Sequence, residues 1–75
     1  MRVTYDREVD ALYIRFIETT VTTQHVADGI AVDYAPDGRL AGIENLDASV
    51  RYGSTGVLSR IVLDDLILAP PAAMA

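Results

Sequence analysis

Residues Asp28–Ser49, DGIAVDYAPDGRLAGIENLDAS, hold two runs of β-type residues, the first introduced by Asp-Gly and the two joined by Pro-Asp-Gly. Asp28-Gly29 supplies the positive φ that a tight hairpin turn needs. Ile30 to Tyr34 then alternates apolar and other residues at a period of two, the pattern of a strand. Ala35-Pro36-Asp37-Gly38 is a turn with a physical basis: proline presets φ, and glycine takes the left-handed position. A second strand follows over 39–45. With those four residues as the loop, Tyr34 is expected opposite Arg39, Val32 opposite Ala41 and Ile30 opposite Ile43, which lines the apolar residues up on one face. The other face would carry Ala31, Asp33, Leu40, Gly42 and Glu44, a small and mixed set suited to a partner chain or to the C-terminal segment. Asp47 reads as the N-cap of a short helical turn over 47–52.

Toward the N-terminus, residues 2–5 read as a strand. Asp6 to Asp10 forms a polar turn whose carboxylates suit local backbone N–H groups. Residues 11–17 alternate again, and these first two runs should pair as an antiparallel hairpin. The threonine-rich piece at 21–26 has high β propensity and little core content, so it suits an edge strand. Toward the C-terminus, Gly53-Ser54-Thr55-Gly56 interrupts the chain. Residues 57–68 fit a helical stripe and a strand almost equally; a helix over 57–66 is the expectation, with residues 70–75 a flexible tail. The fold expected is a single small α+β domain over 1–69. It consists of an antiparallel β-meander of four to five strands, a short helix after Asp47 and a C-terminal helix.

A chain of 75 residues that is 51% hydrophobic and has no cysteine cannot rely on disulfides to offset a small core. Self-association is the remaining way to bury the surplus, so a homo-oligomer is expected. The net charge is −5, from eleven acids against six arginines and no lysine. That balance is a poor match for a phosphate backbone and argues against nucleic-acid binding by this domain alone. The missing lysine excludes Schiff-base chemistry and a Walker-type phosphate lysine. No apolar run approaches the ~20 residues that span a bilayer, and the N-terminus turns polar at once, so no membrane contact and a cytoplasmic location are expected.

TYDREVDALYIRF (residues 4–16) and DGIAVDYAPDGRLAGIENLDAS together resemble a family of short prokaryotic proteins known only as a domain of unknown function (DUF 2283). The resemblance rests on Tyr5, Asp6 and Asp10 to Ile14 in the first block. In the second it rests on Asp28, Gly29, Asp33, Gly38, Gly42 to Glu44, and Asp47 to Ser49. It covers about the first fifty residues and weakens after Arg51. It implies a compact β-meander with a helical appendage, and it carries over no activity and no catalytic residue. Some relatives stand beside small toxin-like genes, which implies an antitoxin or partner role.

No catalytic, cofactor-binding or metal site follows from spacing. Asp6, Glu8 and Asp10 echo a calcium loop, but the positions that would need glycine and glutamate hold Ala11 and Ile17. Turn capping is the better reading. His25, the single histidine, has no nucleophile or second ligand beside it in sequence. A two-residue loop at Asp28-Gly29 would set it opposite Val32, and a bulged loop would turn it away. Asp33 and Glu44 are expected to share a face at a distance. The leading expectation is a non-enzymatic protein–protein interaction module that homo-oligomerises, antitoxin-like if it also takes a small basic partner. The alternative is a small-ligand-binding or enzymatic subunit with its site at a subunit junction, built from Asp33, Glu44, His25 and Tyr34.

Overall fold

The computed structural model of the protein describes residues 1–64. Five strands form one antiparallel sheet: β1 (Arg2–Asp6), β2 (Ala11–Arg15), β3 (Thr22–Ala27), β4 (Ile30–Tyr34) and β5 (Leu40–Asn45). Their order across the sheet is β1-β2-β5-β4-β3. The chain therefore makes a hairpin, crosses to the far edge, and returns through a three-strand meander that closes against the hairpin. The crossing runs over residues 16–21, and it leaves both β1 and β3 as edges. Strand β2 ends at Arg15, short of the expected residue 17, because the chain turns there: the N–H groups of Phe16 and Ile17 both donate to the Ala41 carbonyl, at 2.8 and 3.2 Å. The described residues make a flat body of 44 × 32 × 18 Å, the thickness of one sheet and its side chains.

The β4–β5 register differs from the expected one by one residue at Tyr34 and by two at Val32 and Ile30. Ile30 faces Asn45, Val32 faces Ile43, and Tyr34 faces Leu40, with a bulge between Asp33 and Tyr34. The turn closes one residue later than expected, with Tyr34 opposite Leu40: Ala35 N–H donates to Arg39 O at 2.8 Å and Gly38 N–H to Ala35 O at 2.9 Å. The bulge absorbs one extra residue of β5, Ala41, whose side chain is fully buried. The pairing beyond it slides accordingly. A two-residue slide conserves the faces, so Ile30, Val32 and Ile43 still align.

Two hairpin turns and the end of β5 meet at one end of the sheet, where the helix α1 (Ala48–Arg51) docks. Asp47 stands at the N-cap position, but its φ is 52° and its side chain makes no capping bond. The cap comes from Asp10, far away in sequence. Its carboxylate accepts the Ser49 N–H at 3.0 and 3.1 Å and the Ser49 hydroxyl at 2.7 Å, and its carbonyl accepts the Ala48 N–H at 2.9 Å. Asp47 cannot turn its carboxylate onto the helix from a left-handed backbone, whereas Asp10 reaches it from the β1–β2 turn. The carbonyl of Gly29, at φ 76°, accepts the Leu46 N–H at 2.7 Å, and the Arg51 guanidinium donates to Asp28 O at 2.7 Å. The helix is thus held by both hairpin turns.

The C-terminal helix expected over 57–66 is absent from the described residues. A 3-10 turn occupies Thr55–Ser59, Arg60 is extended at φ −149° and ψ 133°, and residues 61–64 carry no regular structure. The last two residues of that expected helix, and the expected tail at 70–75, lie outside the described residues.

Candidate interaction surface

The pleat sorts the strand residues into two unlike faces. Cross-strand pairing puts Arg2, Thr4 and Asp6 with Ala11, Tyr13 and Arg15, then with Gly42 and Glu44, Ala31 and Asp33, and finally Thr23 and His25. Every ionisable acid, arginine and histidine of the five strands lies on this face. The opposite face presents Val3, Leu12, Ile14, Ile43, Val32 and Ile30, joined by Tyr5, Asn45, Thr22 and Gln24 at the margins.

The middle of the charged face is covered by its own side chains, while its β1 and β3 margins are exposed. Gly42 has no Cβ, and the Tyr13 ring lies across it so closely that a Cβ there would overlap the Tyr13 hydroxyl. That position lets Tyr13 donate to Asp33 Oδ2 at 2.5 Å while the Thr23 hydroxyl donates to Asp33 Oδ1 at 2.6 Å. Arg15 lies over the Tyr13 ring, 5.2 Å from its centroid. Asp33 is 9% exposed, the one buried charged residue among those described. The Thr23 and Tyr13 hydrogen bonds hold its carboxyl below the ordinary value of 3.8, against the opposing effect of burial. Burial, then the bond to Asp33, raises the Tyr13 hydroxyl above its ordinary 10.0. A carboxylate with both oxygens occupied and its proton affinity lowered is a poor general base at neutral pH.

The four residues singled out as candidates do not converge. Asp33 and Glu44 share the charged face as diagonal neighbours, since Asp33 faces Gly42 and Glu44 faces Ala31. That step is about 7–8 Å, closer than the expected register implied. His25 is also on this face, opposite Ala31, because a bulge between His25 and Ala27 turns it away from Val32. It is exposed and two strands from Glu44. Tyr34 follows Asp33 by alternation onto the other face. Among the described residues no group of three His, Cys, Asp or Glu could hold a metal ion.

A second polar cluster, Tyr5–Asp10–Ser49, was not legible as a unit from spacing. The Tyr5 hydroxyl donates to Asp10 Oδ1 at 2.5 Å, beside the two bonds from Ser49. These hydrogen bonds, that of Tyr5 first, lower the Asp10 carboxyl, and Asp10 in turn raises the Tyr5 hydroxyl. The neighbouring turn behaves as expected of a capping sequence, with Asp6 Oδ1 accepting the Glu8 N–H at 2.9 Å.

The apolar face is open. A trough of about 570 Å³ runs over it between β1 and β2 and the C-terminal residues, lined by Val3, Leu12, Ile14, Phe16, Ile61 and Leu63. Ile61 and Leu63 therefore lie toward the aliphatic face, whereas the mixed face was read as suited to a partner chain or to the C-terminal segment. Phe16 remains 41% exposed and Ile61 61%, and no large side chain among the described residues is fully buried. The fully or nearly buried apolar residues are five alanines, Ala11, Ala31, Ala35, Ala41 and Ala48. No described helix is long and apolar enough to cross a membrane.

Neither a curated protein nor a solved structure matches this chain. Over residues 2–49, which hold all five strands and both polar clusters, it matches the family described as a protein of unknown function (DUF2283), and it belongs to that family.

Proposed function

We propose that this protein is a non-enzymatic interaction module that self-associates by packing the uncharged faces of two sheets together. The observation that carries this reading is the segregation of charge: the strands place every ionisable acid, arginine and histidine on one face, and the opposite face is aliphatic and only half-buried. The charged face carries Arg2 and Arg15 with Asp6, Asp33 and Glu44, all of which packing would strip of water, whereas the opposite face buries no charge. The broad side measures 44 × 32 Å, room enough for the ~800 Å² that each partner of a standard interface contributes. Sheets packed this way sit about 10 Å apart, and each supplies the layer the other lacks. An antitoxin-like role toward a small basic partner would draw instead on the acids of the turns and loops, such as Glu8, Asp28, Asp37 and Asp47. The test is Phe16→Asp, which places a charge at an exposed position on the apolar face. Light scattering should show the parent chain as an oligomer and the variant dissociating at least about tenfold more readily, with an unchanged circular-dichroism spectrum. A parent chain that stays monomeric throughout the micromolar range would overturn the reading.

A further inference from the structure

We infer that strand β3 is a second self-association site, at which two copies pair edge to edge, antiparallel, about a two-fold axis near Thr23. The two edges of the sheet are built differently. Strand β1 carries Arg2 at one end and Asp6 at the other, and Arg2 pairs with Glu18 at 3.8 Å. Charges of this kind protect an edge from adding a strand. Strand β3 reads TTQHVA, with no acid, arginine or proline, and is exposed along its whole length. Its inner side bonds to β4, and among the described residues no strand lies on its outer side. An edge strand turns the N–H and C=O groups of alternate residues outward, and those of β3 are a template for another strand. The C-terminal residues near Leu63 line the trough with β1 and β2, at the other side of the sheet.

The occupant is a second copy of the same strand, for reasons of charge and register. The bulge between His25 and Ala27 limits regular pairing to Thr22–His25. Residues opposed across a continuous sheet must lie on the same face, so the axis passes through a residue pair and not between residues. A Gln24 axis would set Thr22 against the bulged Val26. A Thr23 axis opposes Thr23 to Thr23 of the second copy and Thr22 to its Gln24, both favourable cross-strand pairs. The Thr23 side chain is already fixed by its bond to Asp33 at 2.6 Å. The nearest buried charges, the two Asp33 carboxylates, would be three strand spacings apart, about 14 Å, beyond the ~8 Å over which physiological salt leaves charges coupled.

This site does not depend on the face contact, and together two isologous contacts close as a tetramer. Four proteins separate them by light scattering at one concentration: the parent, Thr23→Lys, Phe16→Asp and the double variant. Thr23 lies on the charged face, outside the face contact, and Thr23→Lys sets two like charges directly opposite at the two-fold axis. The expected masses are tetramer, dimer, dimer and monomer, each variant retaining the sheet spectrum. Thr23→Lys with the mass of the parent overturns the edge site. Phe16→Asp with the mass of the parent, beside a monomeric Thr23→Lys, overturns the face contact and leaves the edge site standing. In a chain without cysteine, Thr23→Cys should also form an intermolecular disulfide under mild oxidation at least ~10-fold faster than Asp37→Cys on the opposite turn. Equal rates would likewise overturn the edge site.

Discussion

At the scale of single residues, two carboxylates, Asp33 and Asp10, hold strands and turns together. Asp33 accepts from Thr23 and Tyr13, and so ties β3, β4 and β2 together across the charged face. Tyr13→Phe deletes one bond to a carboxylate and should lower unfolding stability by about 1.5 kcal/mol, read from urea melts. The sign of the pH dependence follows from the directions of the shifts. Asp33 and Asp10 have folded values below 3.8, so they bind fewer protons in the folded state. Their contribution is complete above the unfolded carboxyl value and is lost as pH falls through the folded one. Tyr13 lies above 10.0 when folded, so its contribution is complete below that value and is lost as pH rises through the folded one. The urea midpoint should therefore be flat between about pH 5 and 9 and fall on both sides. Asp33→Asn should flatten the acid limb, and an acid limb identical to that of the parent would show that Asp33 does not contribute to it.

At the scale of elements, the short helix α1 is held in place by its neighbours. Four residues are far below the length at which a helix persists alone in water, and Asp47 offers it no side-chain cap. Asp10 supplies the acceptors from the β1–β2 turn, and Arg51 anchors the other end of the helix to the β3–β4 turn. Asp10→Ala should release α1 while sparing the sheet. Hydrogen exchange at Ala48–Arg51 is expected to approach the unprotected rate while the β4–β5 amides stay protected. Loss of protection throughout the sheet would instead make Asp10 a residue of global stability. The same geometry gives Ser49 its place: its N–H and hydroxyl both reach Asp10.

At the scale of the whole molecule, one layer of sheet with an open aliphatic face accounts for the high hydrophobic content of so short a chain. Self-association through that face brings two negatively charged bodies together, so salt should favour it by screening their repulsion. Raising the ionic strength from about 0.02 to 0.5 M should tighten the assembly in sedimentation equilibrium. Association that weakens with salt would point to ion pairing through the charged face instead, the behaviour expected of docking to a basic partner.

The strands, their turns and the sorting of residues onto faces are legible in the sequence because they depend on a period of two and on local turn chemistry. Those are nearest-neighbour effects, and a two-residue slip leaves them intact, which is why Ile30, Val32 and Ile43 align even though their expected partners were displaced. The placing of His25 turned on a single inserted residue, and the bulge at Val26 decided it. Gly42 within a strand already marks a close approach, but the ring that fills it comes from Tyr13, on a neighbouring strand and 29 positions away. The cap from Asp10 and the crossing of residues 16–21 to the far edge depend on partners distant in the chain. Local patterning states what each segment can form; long-range packing chooses which hydrogen bonds and which apolar contacts are made.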